Sequence, residues 1–535
     1  MILENFKQFI WIFIFGVFAC QNSSDKKLSN IFHYNQPNSI TSLDPAFAKS
    51  QNNIWVVDHI YNQLVDLDED LKIVPELAHS WEISDDGLKY IFHLRSDVYY
   101  HKDPCFGMDS LRLLKAEDVK YSLLRLTDPK LSAPGSWIFN DKLNPERPIE
   151  VINDSTLVFN LSRAFSPFLS LLTMQYCSIL PEEAEKYYGS EIRIHPVGTG
   201  PFMMHKWLDR QGVFLKKNPN YFKSGLPLLN GVRISFIEDR NTAFLVFVKN
   251  GIDFFSGLQS SFAAQLLDED GLLKESMEDQ ITMIKSDYLN TEYIGINLEA
   301  LPSKHILHNK EFRRALNFGF DRAEMIKIFR NGLATPALAG FIPLVLKDTT
   351  FQNSYFSYQP DLAKDIIQKL DYTNLPIEEK EIIIHTNKDY VDLISFIARQ
   401  WQELGIIVKI ELVETATLRE QMRNGTIGMF RASWIADYPD EESFTTVFYS
   451  PNPAPPNYTR FKNVEFDRLY QMAIQEKNLN LREEYYHQMD QILCEESPVI
   501  FLFYDQIALF MQNNIQGLKA NPINLLKLEN VRDTD

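Results

Sequence analysis

Beyond residue 20 the chain has no apolar run near the roughly twenty residues that a membrane-spanning helix needs, so a mature protein without such a helix is expected. It has no Lys/Arg-rich stripe either: 71 acidic against 53 basic residues give a formal charge of -18, with the acids spread along the chain. Phosphate is repelled by such a surface, which argues against nucleic acid as a partner and favours solubility and attraction for cationic solutes. Cysteine is scarce, four in 535 residues, and Cys105, Cys177 and Cys494 lack the close spacing of a zinc or redox motif. In an oxidising compartment they allow one disulfide and one buried thiol, with no pair singled out. Glycine (21) and proline (26) are modest and there is no repeat at a solenoid or propeller period, which confines disorder to the ends.

The familiar catalytic motifs are missing too. Gly198-Thr199-Gly200 is too short for a phosphate loop and lacks its lysine, so it reads as a turn between two strands. No Gly-x-Ser-x-Gly elbow occurs. His305 and His308 could share a helical face, but no Glu follows at metalloprotease spacing and Asn309-Lys310 suit an exposed segment. No enzyme activity, metal or cofactor is expected.

What is present begins with the first twenty residues. Lys7 precedes the apolar run Phe9 to Ala19, and Cys20 follows directly, which is the pattern of a secretory signal. Val17-Phe18-Ala19-Cys20 resembles a bacterial lipobox, and Gln21 to Asp25 resembles its polar tether. The resemblance implies that residues 1–19 are a signal peptide, that Cys20 is lipidated, that 20–27 are the tether, and that the protein sits on the periplasmic or cell-surface side of a bacterial membrane. An ordinary signal peptide with a coincidental cysteine is the alternative.

The remaining length, with apolar residues at 45%, suits two or three globular units with substantial cores. Val232 to Ile237 alternates like a strand, Thr242 to Lys249 is helical, and Gly251 stops the helix before the strand-like Ile252 to Phe255, which makes a βαβ unit. A second unit runs through Glu381 to Ile384, the stripe Leu393, Ile394, Ile397, Trp401 and Leu404 ending at Gly405, and Ile406 to Val413. Asp321 and Glu324 form a capping box for a helix over Arg322 to Arg330, closed by Gly332, with Met325, Ile328 and Phe329 as its core stripe. Leu88 to Leu94 reads as a strand and Ala116 to Leu126 as a helix, so the region from about 53 to 185 mixes both as a separate α+β unit.

An ordered set of motifs then resembles the family 5 extracellular solute-binding proteins, the oligopeptide- and dipeptide-binding proteins of ABC importers. It runs from Leu43-Asp44-Pro45 and Pro75-Glu76-Leu77-Ala78-His79-Ser80-Trp81-Glu82 through Pro196 to Phe202, Asn218-Pro219-Asn220-Tyr221-Phe222, Phe312 to Leu316 and Trp434 to Asp440, ending at Ser497-Pro498-Val499-Ile500. The chain departs from the pattern at Lys115 and in extra residues around Cys105. The resemblance implies an α/β, two-lobed periplasmic-binding-protein type II fold with an extra α+β subdomain in the first lobe. Residues 28–52, 190–275 and 498–525 would form lobe I, 53–189 its extra subdomain, and 276–497 lobe II.

It also implies a mode of binding. A short peptide lies as an added strand beside Gly428 to Trp434, its amine meets Asp437, and Ser433, Trp434 and Ile435 supply main-chain groups, with Trp434 also an apolar wall. Arg431 matches an arginine that pairs a ligand carboxylate in some members; a surface salt bridge is its other reading. By its own chemistry Asp437-Tyr438-Pro439-Asp440 is turn-forming, and only the resemblance singles out its first carboxylate. Lys49, Ser50 and Gln51 would reach the cleft from the opposite lobe, with Lys49 in solvent as the blander reading. The implied partners are a short peptide, a membrane permease and the membrane itself through the lipid, with the protein a monomer. The alternatives are another solute on the same fold (a nickel complex, haem or an oligosaccharide) and a peptide receptor without transport.

Overall fold

The computed structural model describes residues 30–107, 111–257, 260–268, 270–347 and 354–534; the leader, Cys20 and the tether lie outside the described residues. Val499–Gln512, the longest of the described strands, is buried along its length except at Asp505 and Gln506, which are half-buried. A run so apolar on both faces needs partners on both edges, and it has them in two groups. Val499 to Phe503 pairs antiparallel with Asn290–Ile296. Gln506 to Gln512 pairs antiparallel with Ile281–Asp287, and Leu509 to Met511 with Phe254–Ser256. Ala334–Pro336 joins where the pairing changes over, opposite Phe503, Tyr504 and Asp505.

A twelve-stranded sheet is organised around that strand. On one side Phe254–Ser256 leads to Ile31–Asn35, Gly231–Ser235, Gly212–Lys217 and Phe202–Leu208; on the other Asn290–Ile296 leads to Met429–Ile435, Ile382–Thr386 and Val408–Leu412. Ile31–Asn35 runs parallel to both Gly231–Ser235 and Phe254–Ser256, and the helix Arg240–Val248 connects the latter two, so the first βαβ unit read from the sequence is present. The second is present as well: Ile382–Thr386 and Val408–Leu412 are parallel, joined by the helix Val391–Glu403, whose buried side is Leu393, Ile394, Ile397, Ala398 and Trp401.

Residues 53–189 carry their own four-stranded antiparallel sheet, ordered Ala78–Ile83, Lys89–Leu94, Thr156–Asn160, Ile149–Asn153. They are tied to the large sheet through a signature residue. Asp44 accepts from Ala46 N at 3.0 Å, capping the turn Pro45–Phe47, and takes both terminal nitrogens of Arg125 at 2.7 and 2.6 Å in a buried bidentate pair. They also reach the far side of the molecule, where Ser166 N donates to Ile474 O at 2.7 Å and Lys477 Nζ to Ser84 O at 2.6 Å.

Three details differ from the sequence reading. In the helix Arg322–Arg330, capped by Asp321 on Glu324 N, Ile328 is 53% exposed, and Ile326 is buried with Met325 in its place. Positions 322, 325, 326 and 329 form the inward stripe, and 328 lies outside it. Gly198-Thr199-Gly200 follows a 3-10 turn, Gly189–Arg193, and is no strand-to-strand turn. Its glycines serve close approach: a Cβ at Gly198 would stand 2.1 Å from Ile60 O, and Gly200 N donates to that oxygen at 2.8 Å. Cys105, Cys177 and Cys494 are all free thiols, the latter two buried, so no disulfide forms among them.

One buried ion pair fixes the packing of the long helix Leu479–Glu496. Asp490 accepts from Phe341 N at 2.7 Å and from Lys347 Nζ at 2.6 Å, with 2% and 4% of the Asp490 and Lys347 side chains exposed. Removing one partner strands the other charge away from water. Asp490→Ala is therefore expected to lower unfolding stability by about 3–5 kcal/mol in denaturant titrations, and a paired apolar replacement of both residues to lower it by less.

Candidate functional site

The strand Met429–Ile435 is paired along its whole length on one edge, from Met429 opposite Ile296 to Ile435 opposite Asn290. Its other edge meets Ile382–Thr386 only at Met429 and Phe430. The neighbour ends at Thr386 and the chain turns off into the helix Val391–Glu403, so Arg431 to Ile435 have no strand partner on that side among the described strands. Unpaired amides and carbonyls on a strand edge are a template for an added strand. The exposure agrees: Ile435 is 49% exposed, and Arg431, Ser433 and Trp434 are half-buried.

Directly after the strand, Asp437 N donates to Ser443 Oγ at 3.2 Å, and Trp434 Nε1 donates to Ser443 O at 2.6 Å. These two bonds fold the Asp437–Glu442 turn back against the strand. The Asp437 carboxylate is exposed and has no hydrogen bond or ion pair among the described residues. Even so, the protein packed around it raises its pKa to about 6, with the nearby Glu442 carboxylate adding to the effect.

Residues 53–189 approach Asp437 and the turn that follows it. Tyr176 is close enough that the Asp437 charge adds to burial in raising the phenol to about 12. The Trp137 ring lies against Tyr438, centroids 6.5 Å apart at 25°. Behind Asp437, buried Glu442 accepts from the Tyr438 and Tyr470 hydroxyls, and burial pushes its own pKa up.

Other expected site residues are placed differently. Arg431 is ion-paired to Glu292 on the neighbouring strand and lies over the Tyr390 ring, so it is no surface salt bridge. Lys49 and Ser50 are exposed, and Ser50 precedes the helix Gln51–Ile60 without a side-chain capping bond. Gln51 Nε2 donates to Asn524 O at 2.7 Å. Gln51 also lines a cavity of about 380 Å³ with Tyr288, Arg330, Asp505 and Gln506, where the pairing of Val499–Gln512 changes over. The structure thus joins Arg431, Ser433, Trp434, Ile435 and Asp437 in one edge, and sets Gln51 against the crossing. His305 is not on an exposed helical face: it is buried, with Nδ1 accepting from Leu307 N at 3.2 Å and Nε2 3.1 Å from Glu381 O.

A family model for bacterial extracellular solute-binding proteins, family 5, matches residues 72–456. The chain belongs to family 5. It is a solute-binding protein of ABC importers with a type II periplasmic-binding-protein fold, in a family of binders and not of enzymes. It is similar to heme-binding protein A of Haemophilus influenzae, 28% identical over 82% of this chain and 81% of that one. It is similar as well to the glutathione-binding protein GsiB of Escherichia coli, 25% identical over 90% and 91%. Among solved structures, the periplasmic binding protein DppA from Helicobacter pylori in complex with the peptide STSA superposes with a TM-score of 0.75 at 24% identity, over 95% of this chain and 99% of that one. No described helix of this family 5 protein is long and apolar enough to cross a membrane.

Asp437 offers a direct check on this arrangement. An acid whose folded pKa lies above its unfolded value contributes stability that is present at low pH and lost as pH rises through the folded value. Carboxyl-carbon NMR on the ligand-free protein should find Asp437 titrating near 6, and lower in Glu442→Gln. Asp437→Asn should raise the thermal midpoint at pH 7 and leave it unchanged near pH 3.

Proposed function

We propose that this family 5 protein captures short peptides, held by their backbone along the free edge of Met429–Ile435 and by their amine at Asp437. The observation that carries the reading is that an edge of unpaired main-chain groups ends at an unpaired carboxylate. Backbone pairing is blind to side chains, so the same edge serves many peptides. A carboxylate in a cleft selects for an ammonium, because an uncharged competitor leaves it desolvated and unpaired. The peptide bound by the similar DppA supports this reading, and so does the glutathione named for GsiB, itself a tripeptide with a free amine.

In this reading residues 28–52, 190–275 and 498–525 form lobe I, 53–189 its extra subdomain and 276–497 lobe II. The switch of pairing partners within Val499–Gln512 supports a passage between lobes along this strand, but near Tyr504 and Tyr288 and not at 497/498 and 275/276. A ligand bridging the lobes stabilises the closed form, which a membrane permease then receives. The protein works as a monomer, held at the outer side of its membrane by a lipid on Cys20.

Ligands that bind only the folded state raise its thermal midpoint. The stripped mature protein should respond to di- to pentapeptides with a free amine and not to N-acetylated ones, and Asp437→Ala should weaken binding by about 2–5 kcal/mol. Because binding needs both the ionised carboxylate and the protonated amine, affinity should rise with pH through about 6 and fall again as the peptide α-amino group deprotonates near about 8. A shift with haem, a nickel complex or a sugar, and none with peptides, would refute peptide capture. For the anchor, cells fed a labelled fatty acid should mark the wild-type protein, and Cys20→Ala should be unmarked.

A further inference from the structure

The strand that offers the free edge also carries a cation, and a guanidinium beside a bound chain is a natural partner for a terminal carboxylate. Here that cation is already engaged. Arg431 Nη2 is ion-paired to Glu292, whose side chain is 3% exposed, and the Tyr390 ring covers one face of the guanidinium. Glu292 is held in turn by Asn290, whose Nδ2 lies 3.4 Å from Glu292 Oε1 and donates to Ser433 Oγ at 2.9 Å. Close by, Arg330 is paired with Asp505. Two cations face two carboxylates, and the charges cancel. The opposite end of the strand is unbalanced, with Asp437 unpaired and Glu442 behind it.

We propose that Glu292 sets the ligand class of this cleft: by neutralising Arg431 it makes the site choose peptides by their ammonium end alone. A free C-terminal carboxylate then gives no advantage, and a terminal amide, or a chain continuing past the strand, is taken equally well. This rests on the peptide-capture reading above. A ligand carboxylate at Arg431 would be a third anion beside two cations, and it would have to displace a carboxylate that has no water to retreat into. A neutral carbonyl meets no such opposition.

Calorimetry on the mature protein tests this with Ser-Thr-Ser-Ala and tetra-alanine, each as free acid, C-terminal amide and N-acetyl acid. In the wild type, acid and amide should bind within about threefold of each other, and the N-acetyl forms at least tenfold more weakly. Glu292→Gln keeps the shape and removes the charge, and should favour acid over amide by at least tenfold. The double variant Glu292→Met with Arg431→Met, free of both charges, should return acid and amide to parity and so separates charge from packing. A tenfold preference for the acid in the wild type, an unchanged ratio in Glu292→Gln, or an acid preference in the double variant would each overturn the assignment. If none of the six ligands binds, peptide capture is overturned and this inference with it.

Discussion

The architecture depends on one constraint, that Val499–Gln512 must satisfy two sets of strand partners at once. Its fourteen residues are too apolar to leave either face or either edge in water, so both halves of the molecule have to meet on it. Asp505 and Gln506 interrupt the apolar run where the partners change. Beside them the antiparallel strands Ile281–Asp287 and Asn290–Ile296 cross the same line, joined through Tyr288, whose N–H donates to Asp505 O at 3.0 Å. Two adjacent crossings permit rotation about their own line and resist sliding, which is the geometry a hinge requires.

The same sheet explains why an edge is left open. Ile382–Thr386 is a five-residue strand that departs after pairing with only Met429 and Phe430. Proteins usually cover or charge such edges, because they recruit other chains. Here residues 53–189 lie close to the end of that edge, with Tyr176 near Asp437 and the Trp137 ring against Tyr438. In the proposed reading, an exposure that would be a liability on an outer edge serves as a binding surface.

How much of this was legible in the sequence follows from the range of the interactions. Both βαβ units and the helix Arg322–Arg330 were readable because their signals, apolar periodicity and caps, lie within a few residues of one another. Ile328 was misassigned since only the packed structure shows which of two neighbouring stripes faces inward. Asp437 was singled out through resemblance alone; its own neighbours read as a turn, and they do form one. Glu292, Tyr390, Tyr176 and Glu442 were not singled out, because nothing local marks a residue whose partner is 139 positions away, as Glu292 is from Arg431. Gln51 shows the same limit from the other side, its amide engaged by Asn524 across 473 positions.

Charge distribution connects these observations. A chain with a formal charge of -18 repels anions before any contact is made, and the arginine on the strand with the free edge is cancelled by a buried carboxylate. The remaining unpaired charge of the edge is the negative one at Asp437. In the proposed reading, long-range attraction and short-range pairing act in the same sense, drawing in a positive end and holding it, while the rest of the ligand is gripped through main-chain groups that carry no net charge. Under the proposed peptide capture, selectivity for an ammonium and tolerance of everything beyond it are two consequences of one arrangement: a single unpaired carboxylate at the end of an otherwise neutral edge.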